Sequence, residues 1–117
     1  MKPHVRAAVA AICISHNSKQ KVSSVYDYSQ SKYINIEVSV SNKKVEAYDY
    51  TNSCHIEGNM PSLYHYGNSH YLDLKQDSET KYSGYDYGST CYFEITVKNK
   101  NCDIYDYGTG GYFSYST

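Results

Sequence analysis

A nine-residue block that recurs five times constrains this chain more than any other feature of it. The block reads Tyr26-Asp27-Tyr28-Ser29-Gln30-Ser31-Lys32-Tyr33-Ile34. It returns at 48–56, 64–72, 85–93 and 105–113 with aromatic, small and aliphatic residues at the same offsets. Only the third copy breaks the Tyr-Asp-Tyr opening, with His65 in place of Asp. Such self-similarity along a chain means one supersecondary unit used over and over. The arms of each block are aromatic or β-branched with period two, and four mostly small residues separate them, the pattern of strand, tight loop, strand. Shorter turn signals join the blocks at 41–44, 58–62, 76–80 and 99–101. The expected fold is mainly β: an up-and-down antiparallel meander of about ten short strands, made of five tandem hairpins.

Strand parity assigns the side chains to two faces. The second ring of each block, at its third position (Tyr28, Tyr50, Tyr66, Tyr87, Tyr107), is expected opposite the ring after the loop (Tyr33, His55, Tyr71, Tyr92, Tyr112). The first tyrosine of each block shares that face, opposite Asn35, Glu57, Asp73, Glu94 or Ser114. The other face carries Val25, Ala47, Leu63 and Ile104 on first arms, with Ile34, Ile56, Leu72 and Phe93 on second arms. The block aspartate falls on this aliphatic face beside the loop. There it can accept backbone N–H groups of the small residues that follow, as in an Asx turn. His65 can take over part of that role.

Ten strands spaced about 4.8 Å apart make a sheet roughly 48 Å wide, whereas a helix is only about 10 Å across. The sheet must curl into a barrel, fold into two layers, or pair with another molecule. A closed or nearly closed meander is favoured, because open edges invite polymerisation. Ahead of the repeats, residues 3–17 read as one helix: Pro3 sits near its start, and Val5, Ala8, Val9 and Ile12 fall at helical spacing on one side. This helix is expected over an open end of the barrel or over the aliphatic face. The Ala8-Val9-Ala10 triplet resembles a signal-peptide cleavage motif, but it lies inside what would be the apolar core of such a signal. The apolar run is far below the roughly 20 residues of a membrane span. The chain therefore reads as a single domain over 1–117, with the hairpins over 22–117.

Composition narrows the function classes. A net charge of -1 supplies no field to draw in nucleic acid. Large aliphatics are scarce, so the 16 tyrosines must supply much of the buried apolar area. Cys13, Cys54, Cys91 and Cys102 form no CxxC or Cys-His ligand spacing, and free thiols in a reducing, cytoplasmic setting are the expectation.

The tyrosine face is the candidate binding surface: Tyr28, Tyr33, Tyr50, Tyr66, Tyr71, Tyr87, Tyr92, Tyr107 and Tyr112, with carboxylates nearby. Tyrosine combines flat apolar area with a polar tip, which suits protein contact or sugar stacking. The competing reading is that the rings are cross-strand ladders that hold register. Cys54, His70 and Cys91 occupy one position in three successive blocks, but equivalent positions two strands apart lie about 10 Å from one another. That spacing argues against a shared metal and against a disulfide. No phosphate loop, nucleophile elbow or HExxH is present. The expected class is a non-enzymatic binding or interaction module without cofactor, its ligand a protein or a carbohydrate. The alternative is a structural or self-assembling β protein, and a small enzyme comes third.

The Tyr-Asp-Tyr-x-x-Ser-x-Tyr block, with the opening Lys2-Pro3-His4-Val5-Arg6-Ala7-Ala8, resembles small bacterial proteins that carry the same recurring tyrosine-rich hairpins. That resemblance spans the whole chain and implies a bacterial origin; it brings no activity, cofactor or site. A looser likeness is to the aromatic hairpin repeats of choline-binding modules, which depend on Trp, a residue this chain lacks.

Overall fold

The computed structural model of the chain describes residues 1–117. Helix α1 spans Pro3–Ser18. Ten strands follow, β1 (Val22–Asp27), β2 (Lys32–Ser41), β3 (Lys44–Asp49), β4 (Cys54–Asn59) and β5 (Ser62–His65), then β6 (His70–Gln76), β7 (Lys81–Asp86), β8 (Cys91–Lys98), β9 (Asn101–Asp106) and β10 (Gly111–Ser116). Each strand pairs antiparallel with its neighbours in sequence, and β1 pairs with β10, so the meander closes into a barrel.

The width problem is solved by closure, the favoured outcome, and the helix takes the aliphatic face from inside the barrel. Eleven consecutive residues of the helix, Val5 to Ser15, are buried, so no side of it faces water. A helix buried on every side within a closed barrel lies along the lumen. Its neighbours come from both halves of the wall: β1, β2 and β3, and also β8 and β9. The helix thus covers the aliphatic face from within, rather than capping an end of the barrel. Its composition is what makes this possible. Small barrels are filled by their own inward side chains and the interior widens with strand number, yet a helix with ordinary side chains is 10–12 Å across. Ala7, Ala8, Ala10 and Ala11 keep it thin, and all four are fully buried.

The inward wall positions follow the expected parity. Val25, Ile36, Val38, Ile56, Leu63, Leu72, Leu74, Phe93, Ile95 and Ile104 join the helix in one core. The fourth block has Gly84 where the others place an aliphatic on the first arm. A Cβ there would collide with the Asp73 carbonyl oxygen and with the Phe93 ring, which fills the space instead.

The register inside each hairpin differs from the expectation by two residues. The first tyrosine, not the second, faces the ring after the loop: Tyr26 pairs with Tyr33, Tyr48 with His55, Tyr64 with Tyr71, Tyr85 with Tyr92, and Tyr105 with Tyr112. A slip of two preserves parity, so the faces stand although the partners change. The cause is the loop. It runs from the second tyrosine to the residue before β2, β4, β6, β8 or β10, and its last residue takes a left-handed φ: Ser31, Ser53, Ser69, Thr90 or Gly110. The aspartate closes the loop from inside, as an Asx cap. The Oδ1 of Asp27, Asp49, Asp86 and Asp106 accepts the N–H two residues on, at 2.8 to 3.0 Å. In the third block His65 Nδ1 accepts the Asn68 N–H at 3.1 Å.

Candidate functional site

The tyrosines that the sequence singles out form a belt around the outer wall, at the end of the barrel that carries the five block loops. All nine are 50–74% exposed. They are not free-standing. The half-buried first tyrosine of each block is gripped on two sides: Tyr26 meets Tyr28 and Tyr33 at 4.9 Å between ring centroids, with planes 72–75° apart. The same edge-to-face clasp repeats at Tyr48 with Tyr50 and His55, at Tyr64, at Tyr85 and at Tyr105. This is the preferred geometry of ring quadrupoles, and each such pair contributes about 0.5–1.5 kcal/mol beyond area. Ladder and exposed surface are therefore the same rings: the central tyrosine supports, and the outer two display.

Backbone bonds set the spacing of the clasps. The N–H of the second tyrosine of each block donates to a carbonyl of the preceding hairpin, as Tyr50 does to Asn35 and Tyr107 to Tyr92. Across the closing seam Tyr28 does the same to Ser114. The clasps thus stand two strands apart around the wall, and the step along the strands is two residues longer at the closing seam and between the first and second blocks than at the other three junctions.

Below the rings runs a second row rich in carboxylates. Because of the register, each carboxylate lies beside the first tyrosine of the next block: Glu37 opposite Tyr48, Glu57 opposite Tyr64, Asp73 opposite Tyr85, and Glu94 opposite Tyr105. The second tyrosine of that next block reaches down to it. Tyr50 donates to Glu37 and Tyr87 to Asp73, each at 2.9 Å. These bonds push the phenol pKa of Tyr50 and Tyr87 up, since they and the nearby negative charge favour the protonated ring. Tyr107 is raised in the same way by Glu94. At neutral pH these hydroxyls are protonated donors.

Three wall grooves occupy equivalent positions between blocks. One of about 660 Å³ lies between Asp73, Ser83, Gly84, Tyr85, Tyr92 and Glu94. A second, about 700 Å³, is bordered by Glu57, Gly58, Tyr64, Tyr66 and Tyr71. The third, about 300 Å³, lies among Glu37, Glu46, Tyr48, His55 and Glu57. Each presents rings on one side and a carboxylate on the other.

The cysteines and block residues that invite a metal or catalytic reading are spread through the interior. All four cysteines are free thiols and buried. No three His, Cys, Asp or Glu side chains are placed to share an ion. Burial pushes the thiol pKa of Cys13 and Cys102 up, and those of Cys54 and Cys91 as well.

Sequence reasoning missed the polar interior at the loop end. Asp27, Asp49, His65, Asp86 and Asp106 are all fully buried, one per block, around the N-terminal end of the helix. The Asp106 carboxylate accepts the Met1 ammonium at 3.0 Å and Arg6 Nη1 at 3.2 Å, while the Arg6 guanidinium lies 3.6 Å over the Phe113 ring. The signal was present: Arg6 is a lone charge inside a run that otherwise has none until Lys19, and parity had already put the block aspartates on the inner face. No helix is long and apolar enough to cross a membrane. Compared with family models, with curated proteins and with solved structures, the chain gives no match.

Proposed function

We propose that this protein is a non-enzymatic binding module whose tyrosine–carboxylate belt takes a protein or glycan ligand. One observation carries the reading: nine tyrosines, each at least half exposed, are held in fixed edge-to-face clasps around a closed barrel. Burying those rings against a partner costs little conformational entropy, because the clasp has already ordered them. The wall grooves supply carboxylate acceptors beside the ring faces, which is the chemistry that hydroxyl and amide groups require. The test is an NMR titration of labelled protein with a panel of oligosaccharides and of extended peptides. Saturable shifts confined to amides around Tyr33, Tyr71, Tyr92 and Tyr112 are expected, and a Tyr92→Ser/Tyr112→Ser variant should weaken them at least tenfold without loss of fold. Saturable binding elsewhere on the barrel, or none across the panel, overturns the reading.

A second reading, self-assembly, is favoured by the closing seam. Only Tyr26↔Ser116 and Asp27↔Tyr115 are in register between β1 and β10, against six registered pairs between β9 and β10. This is the shortest of the ten registered pairings, and a seam that opens there exposes strand edges that template another strand. Light scattering that gives a monomer mass at all concentrations removes it.

A further inference from the structure

The third hairpin is the one block in which the buried loop cap is a histidine, and it is also where three imidazoles meet. His65, on β5, is fully buried. His70, directly opposite on β6, stacks on it at 5.6 Å with planes 23° apart. His4, from the first turn of the central helix, meets it edge-on at 5.5 Å.

Hydrogen bonding fixes which nitrogen of His65 carries the proton. Nδ1 accepts the Asn68 N–H at 3.1 Å, so the neutral ring bears its hydrogen on Nε2. That Nε2 is buried and has no partner. A second proton has one place to go, Nδ1, and placing it there converts the acceptor of the loop bond into a donor facing another donor. The loop cap and the imidazolium are mutually exclusive. The aspartates of the other four blocks carry no such conflict, because an ionised carboxylate keeps its acceptors at every pH above its own titration.

The loop bond is also connected to the helix. The Asn68 side chain reaches His4, with Nδ2 and Nε2 3.0 Å apart. We propose that the third hairpin is an acid-sensitive latch, in which protonation of His65 opens the 66–69 loop and releases its hold on the N-terminal turn of the central helix.

The surroundings of His65 strengthen that conflict. From α1 it faces His4, from β6 it faces His70, and from the β3–β4 hairpin it faces Asp49, with the Cys54 thiol against the same loop at Gly67. The only carboxylate among these, Asp49, is already engaged by Thr51 and Asn52 of its own loop. His70 is held by the next block, its Nδ1 3.4 Å from Asp86. Burial first, then the neighbouring imidazoles, lowers the His65 pKa to about 4, and Asp49 offsets only part of this. A folded-state value below the ordinary 6.5 means that the unfolded chain binds the proton more readily. The stabilising effect of neutral His65 is thus complete above pH 6.5 and is lost as pH falls towards 4.

The experiment is amide hydrogen exchange, resolved by residue, of the full chain between pH 7 and pH 4 after correction for intrinsic exchange rates. Protection at Asn68 and in the first turn of the helix should fall at least tenfold across this range, while protection at Ser29, Thr51 and Gly108 changes less than threefold. His65→Asp, which installs the residue used by the other four blocks, should bring the third loop into line with them. His65→Asn, a neutral acceptor of similar reach, serves as the second variant if His65→Asp does not fold. Equal loss of protection in all five loops overturns the latch, and so does an unchanged acid response in the folded variant.

Discussion

The Tyr82 hydroxyl lies 2.6 Å from Nδ1 of His16 and joins the wall of the barrel to the last turn of the helix inside it. Burial raises the phenol pKa of Tyr82 and lowers the imidazole pKa of His16. At neutral pH a protonated phenol therefore donates to a neutral ring. Tyr82→Phe keeps the apolar packing and removes the donor, so it should lower stability by about 0.5–1.5 kcal/mol, because the partly exposed His16 can turn to water. A urea unfolding curve with an unchanged slope and a lower midpoint checks it.

Arg6 and Asp106 form a charge pair inside the lumen. Asp106→Ala strands the Arg6 charge in the interior and should cost about 3–5 kcal/mol. Arg6→Leu together with Asp106→Leu still leaves the Met1 ammonium and the Gly108 amide without their acceptor and should recover only part of that loss, which a denaturation comparison of the two variants measures. Burial alone would raise the Asp106 carboxyl pKa. The Met1 ammonium and the Gly108 and Thr109 amides outweigh it, so the net shift is below 3.8. The stability that Asp106 contributes is present above pH 3.8 and is lost as pH falls through its lower folded value. In an acid titration it should follow the His65 step, not coincide with it.

The central helix has no room for longer side chains. Ala8→Leu and Ala11→Leu each force extra volume between the helix and the wall, and each should destabilise by about 1–3 kcal/mol. The same substitutions on a solvent-facing helix would be close to neutral. Thermal unfolding of the two variants distinguishes these outcomes.

Gly84 and Phe93 share one volume on the inner face. Gly84→Ala should cost more than 1 kcal/mol, because the added methyl meets a backbone carbonyl as well as the ring. Adding Phe93→Leu should return part of the loss, and only part, since the carbonyl stays where it is. A double-mutant cycle gives the coupling.

Cys13 and Cys102 are buried, and their thiols are held in the protonated, unreactive form. An aromatic disulfide reagent should modify neither in the native protein at pH 8. Both should react at the rate of global opening in urea, which stopped-time labelling with mass spectrometry reports.

Local chemistry made much of this legible in advance. The period of the block announces hairpins, and period-two alternation sorts rings from aliphatics whether or not the register is known. A slip of two residues, as between Tyr28 and Tyr26 opposite Tyr33, leaves the faces intact. The Asx role of Asp27, Asp49, Asp86 and Asp106 could be read from the small residues after them, because that bond spans only two or three residues. The exposure of the tyrosine belt follows from the same parity once the aliphatic face has turned inward.

What the sequence determined on its own was thus short-range: strands, turns, caps and the two-sidedness of the ribbon, each fixed by residues a few positions apart. Only the tertiary structure decided that the ribbon closes and that the helix threads its lumen. Closure joins β1 to β10 across most of the chain, and the space inside depends on the curvature of all ten strands together. For the same reason, which of the inward block residues meets His4 and which meets Arg6 had no local signature. The wall must first surround the helix before residues so far apart in the chain become neighbours.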